Sequence, residues 1–172
     1  MKVLLDEKDR KLLGYLQEDA RISNAELARR VDLSPPGLQK RLRRLEQKGI
    51  IDRYVTLLNR EALGFNMLCL IQVTMRRHEP TAIDRFRVLV QDMPEVLECY
   101  SVTGEFDYLL KIAVRNRKHL EHFLMDDLTP IPGMDTIRTS LVLRGIKETT
   151  AVSLEPEYPK TSEVSIRSLG GT

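Results

Sequence analysis

SNAELARRVDLSPPGLQKRLRRLEQKG, residues 23 to 49, holds two short amphipathic helices joined by a tight polar turn, and the second helix is strongly basic. Ser23 followed three residues later by Glu26 reads as a capping box, so the first helix starts near Asn24 and runs through Leu27, Ala28 and Val31. Asp32-Leu33-Ser34 breaks it. Ser34 caps the next helix, and Pro35 suits its first turn, where no backbone N–H is needed. Two helices separated by about three or four residues make a helix-turn-helix, which lays its second helix in the major groove of DNA.

At roughly 100° per residue, Leu38, Leu42 and Leu45 share one face, while Lys40, Arg43, Arg44 and Gln47 lie opposite. Residues 29 to 53 carry eight Lys or Arg (Arg29, Arg30, Lys40, Arg41, Arg43, Arg44, Lys48, Arg53) against three acids (Asp32, Glu46, Asp52). A solvated helix face explains most charge runs. A capped helix pair with this concentrated excess on its outer face points instead to double-stranded DNA. Base edges are then read by Gln39, Lys40 and Arg43, with Ser34 at the helix start, while Arg29, Arg30, Arg44 and Lys48 contact phosphates.

The whole chain bears this out as a local property. Residues 1 to 60 hold 14 basic and 9 acidic side chains, a net +5; residues 61 to 172 hold 13 and 16, a net −3. The formal +2 of the full 172 residues hides a basic head and a mildly acidic body, as expected if the head alone meets phosphate. No apolar run approaches the roughly 20 residues that span a bilayer, and MKVLLDEKDRK turns charged too early for a secretory signal, so the expected location is cytoplasmic, away from membranes. Cys69 and Cys99 each sit in an apolar, strand-like run and are expected as buried, reduced thiols.

Along the chain, Asp6 caps a helix reaching about Asp19, with Leu12, Leu13 and Leu16 on its buried face. Gly49 ends the basic helix, and residues 50 to 58 read as a strand leading out of the head. Then follow a strand at Met67 to Met75, a helix at Thr81 to Met93, a strand at Glu95 to Val102 and a hairpin turn at Gly104 to Asp107. A strand at Tyr108 to Val114, a helix at Lys118 to Leu128 and a strand at Thr136 to Leu143 complete the set. The order is βαββαβ, the ferredoxin-like split βαβ with both helices on one sheet face. The expected class is therefore α+β: a winged-helix-like helix-turn-helix domain over 1–60 with a linker strand, a ferredoxin-like effector-binding and oligomerisation domain over 61–154, and a flexible tail over 155–172. Ala151 to Leu154 is a candidate edge strand. Leu68, Leu70, Leu109 and Leu141 recur on the strands, and a single helix pair leaves one sheet face bare, so a second copy of the chain is expected to cover it.

These residues resemble the Lrp/AsnC family, the leucine-responsive or feast/famine transcription regulators. LDEKDRKLLGYLQEDARIS at 5 to 23, LSPPGLQKRLRRLEQKGII at 33 to 51, VTGEFDYLL at 102 to 110 and PGMDTIRT at 132 to 139 carry the likeness, which runs from about Leu5 to Leu154. The resemblance implies a homodimer that assembles further into tetramers or octamers, and a regulatory domain that takes small effectors, typically amino acids. It places the effector around the glycine-containing turn: Thr103, Gly104, Asp107 and Tyr108, with Thr136, Thr139 and Ser140 from the last strand and Tyr100 and Ser101 adjacent. Chemistry supports part of this, since an ammonium needs an acceptor such as Asp107 and a carboxylate needs donors such as turn N–H groups. Equally, Gly and Asp serve hairpin turns with no ligand. One departure is that Pro36 and Gly37 stand where the family offers small polar side chains.

Two other classes compete with this reading. His119, His122 and Asp126 have a spacing that could ligate a metal, but Leu120, Phe123 and Leu124 mark the buried side of that helix and put the histidines at its flank, so no metal is assigned. There is no Gly-rich phosphate loop, GxSxG elbow or CxxC motif, and neither catalysis nor a cofactor is expected. The alternative to an effector-responsive regulator is an architectural DNA-binding protein of the same fold without an effector.

Overall fold

The computed structural model describes residues 4–76 and 80–155. Asp6 opens helix α1 (Glu7–Glu18) through a reciprocal cap: its carboxylate accepts the Asp9 N–H at 2.8 Å, and the Asp9 carboxylate accepts the Asp6 N–H at 3.2 Å. Ser23 caps α2 (Asn24–Arg30) by accepting the Glu26 N–H at 3.2 Å. The reciprocal half of that expected box is missing, because the Glu26 carboxylate turns instead to Arg29 and Arg30. The turn bends sharply at Asp32, whose φ of 52° is left-handed, a conformation that Asp tolerates better than most residues. Ser34 then caps α3 (Pro35–Gln47), which ends before Gly49 at φ 65°.

These three helices bury Leu12, Leu13, Leu27, Ala28, Val31, Leu38 and Leu45, with Leu16 and Leu42 packed partly against them. Each fully buried Leu contributes roughly 1.5–3 kcal/mol relative to exposure, so the leucine spacing decides which side of each helix turns inward. Residues 148–155 belong to this same unit. The expected edge strand at Ala151 to Leu154 does not form. Gln17 clamps Val152 instead, accepting its N–H at 2.8 Å and donating to its carbonyl at 3.1 Å, and Leu154 packs against the helical core. The remainder of the expected tail, residues 156–172, lies outside the described residues.

Residues 50 to 58 form no strand either. Their β-branched pattern is a local preference that needs a partner ladder, and among the described residues the four strands pair only with one another. Val55, Leu57 and Leu58 consequently stand exposed.

The second unit, residues 57–147, is a four-stranded antiparallel sheet of β1 (Met67–Met75), β2 (Val96–Ser101), β3 (Tyr108–Val114) and β4 (Met134–Leu141) in the order β2-β3-β1-β4. Helix α4 (Pro80–Gln91) connects β1 to β2, and α5 (Arg117–His122) continues as a π-helical turn, Phe123–Leu128, before β4. Phe86 and Val90 of α4 and Phe123 and Leu128 beyond α5 pack on Cys69, Ile71, Val73, Leu110, Ile112 and Val114, so both helices cover one face. Register assigns the other face. Gln72 pairs with Leu109 on one side and Arg138 on the other, and Leu70 pairs with Lys111 and Ser140, which places these side chains together on the helix-free surface. Leu141 pairs with Cys69 and therefore sits on the helix-bearing side, not with Leu68, Leu70 and Leu109 as the sequence suggested. Cys69 is buried as expected; Cys99 is exposed, because β2 is an edge strand whose flank the helices do not cover.

Candidate functional site

The helix-turn-helix presents less free charge than its sequence contains. Arg29 donates to Glu26 through Nε at 2.9 Å and Nη2 at 2.8 Å, and Arg30 donates to the same carboxylate at 2.7 Å. Arg30, then Arg29, hold the Glu26 carboxyl below its ordinary range. Arg41 bridges Asp6 and Asp9, and Arg44 reaches Asp9. Gln39, Lys40 and Arg43 on α3 and Lys48 at its C-cap are exposed, and their side chains make no hydrogen bond or ion pair among the described residues. Lys40 and Arg43 lie at i, i+3, so both project from one helix face. Of the eight expected DNA residues, these four are unengaged, three arginines are paired, and Ser34 is committed to the cap, accepting the Gly37 N–H at 3.3 Å. Gly37 suits that cap, since a Cβ there would stand 3.1 Å from Ser34 Oγ.

In the sheet unit the turn from Ser101 to Tyr108 divides two cavities. Gly104 takes φ 130°, which only glycine adopts readily. Asp107 closes the turn: its carboxylate accepts the Met75 N–H at 2.7 Å, its own N–H donates to the Val73 carbonyl, and its carbonyl accepts the Val102 N–H. The smaller cavity, about 140 Å³, is lined by Ser101, Val102, Asp107, Tyr108, Arg87, Met75 and Ile83. Tyr108 is itself buried, its ring 4.6 Å from that of Phe86 and its hydroxyl accepting from Arg87 Nε at 3.2 Å. The larger cavity, about 420 Å³, opens on the helix-free face and is lined by Gln72, Thr74, Glu105, Phe106, Thr136 and Arg138.

The nine expected effector residues are thus not brought together. Ser101, Asp107 and Tyr108 line the small cavity and Thr136 the large one. Thr103 and Gly104 stand exposed on the turn itself. Tyr100 faces the helix-free side but donates to Glu98 at 2.9 Å, and Glu98 also accepts from Lys111 at 3.1 Å. Ser140 faces that side as well, opposite Leu70, whereas Thr139 pairs with Ile71 and points the other way. Sequence reasoning missed Gln72, Thr74, Glu105, Phe106 and Arg138. A signal was present in β1, where Gln72 and Thr74 interrupt an otherwise apolar strand at period two; β4 is polar at most positions, so Thr136 and Arg138 do not stand out in it.

The two histidines of α5 go to separate partners. His119 Nε2 lies 2.9 Å from Glu95 while its Nδ1 accepts the Arg115 N–H, and His122 Nδ1 lies 2.5 Å from Asp126. Among the described residues no group of three or more His, Cys, Asp or Glu is placed to hold a metal ion, and no helix is long and apolar enough to cross a membrane.

Comparison with known proteins matches both units. Residues 5–52 match the winged helix-turn-helix DNA-binding model, and residues 68–152 match the Lrp/AsnC ligand binding domain. The leucine-responsive regulatory proteins of Escherichia coli K12 and Salmonella typhimurium are 38% identical over 151 residues, which cover 88% of this chain and 92% of the relative. Among solved structures, a transcriptional regulator of Neisseria meningitidis in complex with L-Met superposes with a TM-score of 0.85 at 38% identity, covering 88% of this chain and 97% of that one. A feast or famine regulatory protein of Mycobacterium tuberculosis complexed with L-methionine gives 0.78 at 31% identity, covering 87% and 99%. The chain belongs to the Lrp/AsnC family of transcription regulators, with a helix-turn-helix for DNA and a domain for a ligand.

Proposed function

We propose that the chain binds double-stranded DNA through α3, that an α-amino acid occupies the 420 Å³ cavity of the sheet unit, and that a second copy of the chain covers the helix-free face. Gln39, Lys40 and Arg43 read base edges; Lys48, Arg29 and Arg30 meet phosphates. The observation that carries the effector reading is the make-up of the larger cavity. One guanidinium (Arg138) and one carboxylate (Glu105) stand there with the hydroxyls of Thr74 and Thr136, the Gln72 amide and the Phe106 ring. A zwitterion needs one cation, one anion and neutral hydrogen-bonding groups, and its side chain needs apolar surface. The volume lies within the roughly 300–1,000 Å³ usual for small-molecule sites, which the 140 Å³ cavity does not reach. The two relatives solved with L-methionine support an amino acid as the class of ligand.

Because the cavity opens on the face assigned to the second copy, its occupant binds paired and unpaired chains unequally. That difference in affinity shifts the assembly and, with it, the spacing of the heads on DNA. The protein acts in the cytoplasm as a regulator, not as an enzyme. Thermal unfolding in the presence of each of the twenty amino acids, followed by light scattering with any that stabilises, tests the reading. One or a few amino acids should raise the transition and change the mass; no shift with any of them would leave an architectural DNA-binding protein.

A further inference from the structure

We propose that Asp9 is a positioning residue for DNA recognition, one that fixes the roll of α3 and withholds Arg44 from the phosphates. The inference rests on the DNA-reading role of α3. Asp9 is the one charged side chain among the described residues that is buried, at 0% exposure. Its Oδ1 accepts from Arg41 Nη1 at 2.8 Å and its Oδ2 from Arg44 Nη2 at 2.5 Å, and Asp6 Oδ2 takes Arg41 at 2.5 Å as well. Asp6 and Asp9 are spaced i, i+3 at the start of α1, and Arg41 and Arg44 are spaced i, i+3 on α3. Two carboxylates therefore grip the helix at two points one turn apart.

Two such directed contacts add to the packing of Leu38 and Leu45 in resisting rotation about the helix axis. At a helix radius of about 5–6 Å, a roll of about 20° carries a side-chain tip about 2 Å. That distance breaks a directed hydrogen bond from Lys40 or Arg43 to a base edge. The same grip sets the charge that α3 offers. Moving Arg44 to a phosphate would strip a buried carboxylate of one of its two cations, and an uncompensated buried charge is strongly unfavourable. Arg44 stays with Asp9, although its position on the outer side of α3 suggests a phosphate contact.

The test uses the full chain and the tightest duplex recovered from a random pool, against a scrambled duplex, over a range of KCl concentrations. Failure of the parent protein to enrich any duplex would sink the DNA-reading role itself. Given a parent that discriminates, Asp9→Asn should cut the operator-to-scrambled ratio roughly tenfold. It should also steepen the slope of log K against log salt by about one unit, as the released Arg44 finds a phosphate. Arg44→Gln should leave that slope unchanged. A merely stabilising Asp9 would lower the unfolding temperature of Asp9→Asn while leaving ratio and slope as in the parent, and that result overturns the proposal. If Asp9→Asn does not fold, Arg44→Gln decides alone: a slope shallower by about one unit means that Arg44 already meets phosphate, and the proposal fails.

Discussion

Replacing Arg138 by Gln keeps a polar, shorter side chain at the larger cavity but removes the only cation among its lining residues. A hydrogen bond to a charged group is worth about 1.5–3 kcal/mol, and the lower end applies here because Arg138 is exposed at the rim of an open cavity. A loss of about 1.4 kcal/mol is tenfold in Kd. At a ligand concentration 100 times the parent Kd, binding stabilises the folded state by about 2.7 kcal/mol, and a tenfold weaker site retains about 1.4 kcal/mol. For a unit the size of residues 57–147, the missing 1.3 kcal/mol amounts to about 5–10 °C of the ligand-induced rise in Tm. The measurement is differential scanning fluorimetry of parent and variant with whichever amino acid stabilises the parent. Ligand-free DNA affinity should be unchanged. Equal thermal shifts for the two proteins would refute the assignment of the carboxylate to Arg138, and with it the cavity as the effector site.

Arg43→Ala should weaken operator binding by about 1–3 kcal/mol in a gel-shift titration while leaving the circular dichroism spectrum intact, since Arg43 is exposed and pairs with nothing among the described residues; unchanged affinity would remove it from the base-reading set. Asp107→Ala should weaken the effector response without reducing basal DNA affinity, because Asp107 anchors the turn that carries Glu105 and Phe106 to the larger cavity. It should also destabilise the sheet unit by about 1–3 kcal/mol in urea, because the Met75 N–H loses its acceptor; a variant as stable as the parent would contradict the structural half of this. The hydrogen bond to Asp126, then the charge of Asp127, raises the pKa of His122 above the ordinary imidazole value. The charged form is therefore favoured by folding, so its contribution is full below the unfolded pKa and disappears as pH rises through the folded one. An NMR titration should place the His122 midpoint above that of a model peptide, with Asp126→Asn bringing it down; a peptide-like midpoint in the parent would count against the pair.

Periodicity located all three helices of the head, where caps agree with it, and both helices and the four strands of the sheet unit, where the apolar spacing and the turns between elements carried the reading. It failed at residues 50 to 58 and 151 to 154, where an extended pattern is necessary for a strand but a neighbour decides whether one forms. The functional surfaces were legible to a shallower depth. That Lys40 and Arg43 point outward follows from the helix period. That Arg44 is held by Asp9, 35 positions earlier, depends on how α1 meets α3 and leaves no local mark. The cavity depended on register in the same way. Only the pairing of Gln72 with Arg138 and of Thr74 with Thr136 brings those four side chains to one place, and the turn that drew attention in the sequence supplies Glu105 and Phe106 rather than Asp107.

The clamp between Gln17 and Val152 joins residues 135 positions apart. A loop that long is slow to close, and on the ribosome Val152 emerges only after the entire sheet unit has been made. The DNA-reading unit is therefore the first to begin folding and the last to be finished. A nascent or truncated chain ending before Val152 would carry the recognition helix in a head that lacks this last fastening.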